Sequence, residues 1–387
     1  MTSNRYLNTI NVIIFLGIIV RLIMISINYF TGINSGIGAD SYGLHHTALM
    51  LSKRDFLFIL NGQYHINNFF LFIFPLFYKI SPFTSYTFAS LISVFCWLVS
   101  VLFCLDVMKI IKVKKNFIYL GLGLLCFWPS LILFTSDVSR EAYQIMLICA
   151  SIFFTVRILY FKKIIYYLML IFCSIILSLF HKAFFFFTIV NLSIAMIPLI
   201  SNFITLKIKF ISSIPIILIL FIVIQNYDNF GYSQLLQGLP SAVETYQNGL
   251  LINSITRADM RTYPISIYDY TDLLIFIPIS IYDYFMQPFF NKIASVGDLL
   301  AFVENNLRVL LIFSCAVCFW KVRPLSNLKY IFYLFFSFCF IEVVWALGTS
   351  NWGTALRHHT TAIPVLILFF VSFFNDEEYI VKKNNIN

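Results

Sequence analysis

The sequence predicts an all-α polytopic membrane protein of about ten transmembrane helices, and three observations carry the prediction. Hydrophobic residues make up 60% of the 387, phenylalanine alone occurs 45 times, and mean hydropathy is +0.88. Charged residues are only 11%, less than half the ~25% of an ordinary soluble domain. Apolar runs of about 20 residues recur along the whole chain, each long enough to cross a ~30 Å hydrocarbon core as a helix.

Taken in order, the spans are expected over 9–30, 84–107, 117–135, 142–161, 164–180, 183–201, 209–225, 304–320, 330–348 and 360–375. The first run, Leu7 to Phe30, lacks a small-residue cleavage site and is read as a retained span. Two shorter stretches, 67–81 with Pro75 and 272–290 with Asp283, suit helices lying in the plane of the outer face. Basic segments fix that choice. Lys109, Lys112, Lys114 and Lys115, then Lys162-Lys163, Lys207 and Lys209, Lys321 with Arg323 and Lys329, and the tail VKKN are the richest in positive charge. With both short stretches kept on one side, all of these become cytoplasmic, as the positive-inside rule prefers. Both termini are then cytoplasmic. The whole chain, 1–387, reads as one integral membrane domain whose outer loops, 31–83 and 226–303, carry juxtamembrane helices.

The net charge of +9 therefore reports orientation and contact with anionic lipid, and nucleic acid is excluded as a partner. All eight cysteines fall within apolar runs, which argues against a disulfide framework. No nucleotide-binding glycine pattern and no histidine–carboxylate metal spacing such as H-E-x-x-H occurs, so no cofactor and no metal is expected.

This topology gathers the polar groups on the outer face. Arg21 lies inside the first span, about 14 Å along the helix from Phe30, and is read either as facing a watered cavity or as pairing with an acid inside the bundle such as Glu342. GADSYGLHHTA follows that span and carries Asp40, Tyr42, His45 and His46. Asp40 fits either a helix N-cap or a general base at the water–lipid boundary. SDVSRE puts Asp137, Arg140 and Glu141 in the second outer hairpin, the two acids four residues apart and on one face if a helix starts there. His181-Lys182 and the triplet Arg357-His358-His359 add cations and imidazoles to the same chamber. Arginine grips phosphate through a planar fork and lysine as a point charge, so Arg357 and Lys182 suit a phosphate or pyrophosphate at the membrane edge. Attraction to lipid headgroups is the simpler alternative.

An arginine in the first span, the GADSYGLHHTA loop, the P-S-x-x-L-x-x-S-x-x-x-R-E segment from Pro129 to Glu141, and GTALRHH before the last span resemble the GT-C class of membrane glycosyltransferases. Together with MQPFFNKI and AFVENNLRV, GTALRHH and the PS…RE segment are similar to O-antigen or capsule repeat-unit polymerases of the Wzy type. The resemblance implies Asp40 as the outer-loop catalytic acid, Glu141 or Asp137 as the second acid, and Arg357 as the ligand of the donor phosphate. It departs at Asp40-Ser41, where many GT-C enzymes carry an Asp-Glu pair. By resemblance, the substrate is an undecaprenyl-linked oligosaccharide at the outer face of a bacterial inner membrane, with a chain-length regulator as a partner. A single-sugar transferase using a polyprenyl monophosphate, a lipid-linked oligosaccharide flippase, and an O-acyltransferase built around His181 are the alternative readings.

Overall fold

The computed structural model describes residues 2–31, 39–55, 70–81, 83–181, 184–202, 264–322 and 328–375, with short pieces at 240–241, 243–245, 247–248 and 258–261. The expected span 209–225, Lys182, and much of both expected outer loops lie outside the described residues, as does the side chain of Asp40.

Helices run through almost all of the described chain, and its β-pairing is limited to the isolated bridges Val113–Asn375 and Asp259–Asn351. They are α1 (Thr2–Thr31), α2 (Ala39–Ser52), α3 (Phe70–Ile80), α4 (Tyr86–Ile110), α5 (Lys115–Phe127), α6 (Pro129–Thr135), α7 (Arg140–Phe161), α8 (Ile164–Phe180), α9 (Phe184–Asn202), α10 (Tyr270–Met286), α11 (Val296–Val322), α12 (Leu328–Leu347) and α13 (Trp352–Val371). Six of these, α1, α4, α7, α11, α12 and α13, are long and apolar enough to cross a membrane, and α5 with α6 makes a seventh if the bent pair is one span. The protein is thus a multi-pass membrane protein. At 11 residues, about 16 Å, α3 is too short to cross.

The expected continuous span 117–135 is instead broken, with α5 and α6 meeting at 51°. Pro129 causes the break. It has no N–H to give the Leu125 carbonyl, and the ring crowds the preceding turn. In a hydrophobic bundle the freed backbone groups need partners, and buried side chains provide them. Trp97 Nε1 donates to Leu125 O at 3.2 Å, and Ser130 N donates to Glu304 Oε1 at 3.0 Å. Cys126 O accepts from Arg21 NH1 at 2.9 Å. Arg21 also donates to Thr135 Oγ1 at 2.7 Å and stacks 3.5 Å above the Trp97 ring. The expected Arg21–Glu342 pair is therefore corrected: Arg21 serves the broken helix. Gly17, one turn before Arg21, permits this approach, because a Cβ there would sit 2.8 Å from the Trp97 ring.

The largest correction concerns the last span, expected to begin at 360 after an outer loop. The helix begins at Trp352, so GTALRHHTT forms its first turns. Asn351 caps it, its Oδ1 accepting from Gly353 N at 2.8 Å and Thr354 N at 3.3 Å. α13 packs against α4, α5, α6, α7, α11 and α12, and Ile363, Val365, Leu366, Ile367 and Leu368 are wholly buried. It is the central helix of the bundle.

The chain runs back and forth between two ends. One end is basic, with Lys112, Lys115, Lys162 and Lys163 at helix junctions and Lys114 N bonded to Phe374 O. The opposite end collects the turn before α7, the end of α8 and the starts of α4 and α13.

Candidate functional site

The site grows from the turn between α6 and α7. Two serines close it: Ser136 Oγ donates back to Ile132 O at 2.7 Å and Ser139 Oγ to Phe134 O at 2.6 Å. The turn buries Asp137 completely. Its carboxylate accepts from Ser41 Oγ at 2.9 Å, from Val138 N at 2.7 Å, and from the Tyr86 hydroxyl. Asp137 therefore ties α2 and α4 to the turn. Ser41 directly follows Asp40 in α2, so the backbone carries Asp40 to this corner.

Glu141, in the first turn of α7, is 1% exposed and lies between two arginines. Arg357 Nε donates to its Oε1 at 2.6 Å and Arg140 Nε at 3.4 Å. A carboxylate in the first turn also complements the helix dipole. Glu141 Oε2 has no hydrogen-bond partner among the described residues. Glu141, with Asp137 one of the two acids that the resemblance implies for the second outer loop, is thus matched by two guanidinium groups. Arg140 is 27% exposed and Arg357 13%, so Arg140 is the more open cation.

Next to Arg357 on α13, His358 stacks face-on against Trp345 at 3.8 Å and meets Thr349 Oγ1 through Nδ1 at 2.7 Å. His181, at the end of α8, lies edge-on to Trp345, 6.5 Å from His358. On α2, Tyr42 stacks on Tyr86, and His45 Nδ1 is 2.8 Å from the Tyr78 hydroxyl of α3. Burial, with the adjacent His46, holds the His45 ring below the ordinary histidine value, and burial pushes the Tyr78 phenol up. His46 itself is exposed.

His359 does not join this group. It is wholly buried and faces away, its Nδ1 2.8 Å from Glu342 Oε2 and its Nε2 3.0 Å from the Tyr284 carbonyl. Its expected place as a substrate ligand in the outer chamber is corrected by this burial. The structure thus brings together Tyr42, His45, Asp137, Arg140, Glu141, His181, Arg357 and His358 at one end, and separates His359. Among the described residues no three His, Cys, Asp or Glu side chains converge as metal ligands.

No protein-family model matches this chain, and comparison with curated proteins and with solved structures finds no similar one. The site stands on its geometry.

Three contributors escape the sequence reading. Tyr86 and Ser41 hold Asp137, and Trp345 supports both His181 and His358. Glu304 and Arg308 are likewise buried in an apolar run. Their spacing of four within a span was the available signal, since ionisable groups at that depth are rare and face protein. Beside Glu304, a groove of roughly 420 Å³ runs between the α5–α6 break and α11, lined by Phe127, Trp128, Pro129, Leu307, Leu310 and Leu311.

Proposed function

We propose that the protein is a membrane-embedded glycosyltransferase that polymerises undecaprenyl-pyrophosphate-linked repeat units of a bacterial surface polysaccharide at the outer face of the inner membrane. The observation that carries this reading is the Arg140–Glu141–Arg357 triad, assembled from two distant helices next to Asp137. Two guanidinium groups fixed at one end of the bundle suit the two phosphates of a lipid pyrophosphate. The apolar groove between the α5–α6 break and α11 suits a lipid chain, and the helices that form it pack on α13 around Leu356, next to Arg357.

In this mechanism Arg140 and Arg357 stabilise the pyrophosphate as it leaves the anomeric carbon. Glu141 orients Arg357, and Asp137 anchors α2. Asp40 takes the proton of the attacking sugar hydroxyl. His181 borders the donor side and Tyr42, His45 and His46 the acceptor side, and Lys182 is assigned to the donor phosphate from the sequence alone. The single-sugar transferase would use the same groups on a monophosphate donor.

A second reading, a transporter of lipid-linked oligosaccharide, draws on the buried charges Arg21, Glu304, Arg308 and Glu342, because ionisable groups deep in several helices mark transport pathways. One experiment separates the two. Arg357→Lys keeps the charge but loses the fork, and Asp40→Asn removes the base while preserving a helix cap. At normal protein levels, the polymerase reading expects both variants to make little polymer, Asp40→Asn by roughly 10²-fold, with unpolymerised lipid-linked units on the outer leaflet. Precursor trapped on the cytoplasmic leaflet would favour the transporter. Normal polymer from both variants would end the catalytic reading.

A further inference from the structure

Four ionisable side chains meet in the interior of the bundle, away from the site above. Glu304 and Arg308 sit one turn apart on α11, Glu342 lies on α12 and His359 on α13, and none is more than 2% exposed. Tyr284 of α10 closes the group, its ring 3.8 Å from that of His359.

The hydrogen bonds of His359 fix a proton count. Its Nε2 is 3.0 Å from the Tyr284 carbonyl, which can only accept, so Nε2 carries a hydrogen. Its Nδ1 is 2.8 Å from Glu342 Oε2. A bare Nδ1 facing an ionised carboxylate would oppose two lone pairs at that distance, so a proton lies on this line too. Either His359 is an imidazolium beside a carboxylate, or it is neutral beside a protonated Glu342. Both descriptions leave the pair with no net charge and one proton more than a neutral histidine beside an ionised glutamate.

Arg308 on α11 faces both Glu342 and His359, with Glu304 one turn away on the same helix, and Tyr284 faces His359 from α10. On α13 itself, Arg357 is engaged by Glu141 of α7 and His358 by Thr349. α4, α5 and α6 carry no buried charged side chain. Counting Arg308 and Glu304 both as ionised, the cluster is neutral with the extra proton and carries one net negative charge in the interior without it, an arrangement that burial disfavours.

We propose that Glu342 and His359 form a binding site for a single proton inside the bundle, one that stays filled well above the pH at which a free histidine deprotonates. The proposal does not depend on the glycosyltransferase reading, because its tests need no activity. A site filled only in the folded state has a sign. Its stabilisation is complete below the unfolded histidine value of about 6.5 and fades as pH rises through the folded value.

The test uses the full chain in lipid nanodiscs, with the ring nitrogens of its six histidines isotopically labelled. At pH about 8.5, two units above the free value, nitrogen NMR should show one histidine protonated at both nitrogens. If the proton sits on Glu342, infrared spectra should instead show a protonated carboxyl band. A spectrum in which every histidine has one bare nitrogen, together with no such band, would overturn the proposal in the wild-type chain alone. A second arm follows the thermal midpoint. Wild type should melt lower at pH about 9 than at about 7. Glu342→Gln, whose amide can donate to a bare Nδ1, should flatten that dependence. A Glu342→Gln profile as steep as the wild type would count equally against it.

Discussion

Asp137 shows how a single buried acid is kept in place. Its carboxylate accepts from a helix hydroxyl, a backbone amide and a phenol that come from three separate segments. Hydrogen bonds to charged groups contribute about 1.5–3 kcal/mol. Tyr86→Phe keeps the ring that stacks on Tyr42 and removes only the donor. It should lower the unfolding free energy by about that amount, measured by thermal or denaturant unfolding in detergent. An unchanged value would mean that Tyr86 holds α2 by stacking alone. The three consecutive basic residues Arg357, His358 and His359 teach a different point. Their residue types were legible in the sequence as a concentration of cationic and imidazole groups, and Arg357 does lie with the acids of 136–141. What could not be read was their divergence. Successive side chains on a helix point roughly 100° apart, so within α13 the three reach α7, the Trp345–Thr349 corner and Glu342 respectively. A loop would have let all three face one ligand; a helix cannot.

At the scale of the element, the start of α13 decides where these groups point. Asn351 satisfies two of the helix's first free N–H groups and holds the turn from which Arg357 projects. Asn351→Ala should cost about 1 kcal/mol, and Asn351→Ser, which retains an accepting side-chain oxygen, should recover most of it. Unfolding measurements on the two variants check this, and equal losses from both would remove the cap from the account. Hydropathy alone placed this helix eight residues late, because Arg357, His358 and His359 look like a loop to any measure that ignores what they are packed against. The same blindness hid the break at Pro129. A proline within an apolar run was visible, but the side chains that satisfy the freed carbonyls come from Trp97, 28 residues away, and Arg21, 105 residues away. Short elements fared better. The eleven residues of α3 were expected not to cross, since Pro75 and the run's length both speak against a span.

Across the whole molecule, alternation of helices separates a basic end from the end that holds the candidate site. The first set includes Lys112, Lys115, Lys162 and Lys163, all exposed, and the second includes Arg140 and His181, which are partly exposed. This polarity was legible from loop charges, because lysine at the ends of spans follows a rule that needs no contacts. By the positive-inside rule the bundle is expected to have its basic end in the cytoplasm and the Arg140–Glu141–Arg357 triad on the outer side. Introduced cysteines test this directly if they occupy exposed positions. Tyr268, just before α10, is 84% exposed, and Asn116, at the start of α5, is exposed at the basic end. Ser136, in the hairpin of the site, is a poor reporter because it is 1% exposed. In intact cells, a membrane-impermeant thiol reagent should label Tyr268→Cys and leave Asn116→Cys protected until the membrane is opened. The eight native cysteines are free, and six of them are buried, so their background should be low. Labelling of Asn116→Cys before permeabilisation, with Tyr268→Cys protected, would turn the bundle over. The two arginines would then face the cytoplasm, where a polymerase of exported repeat units has no substrate.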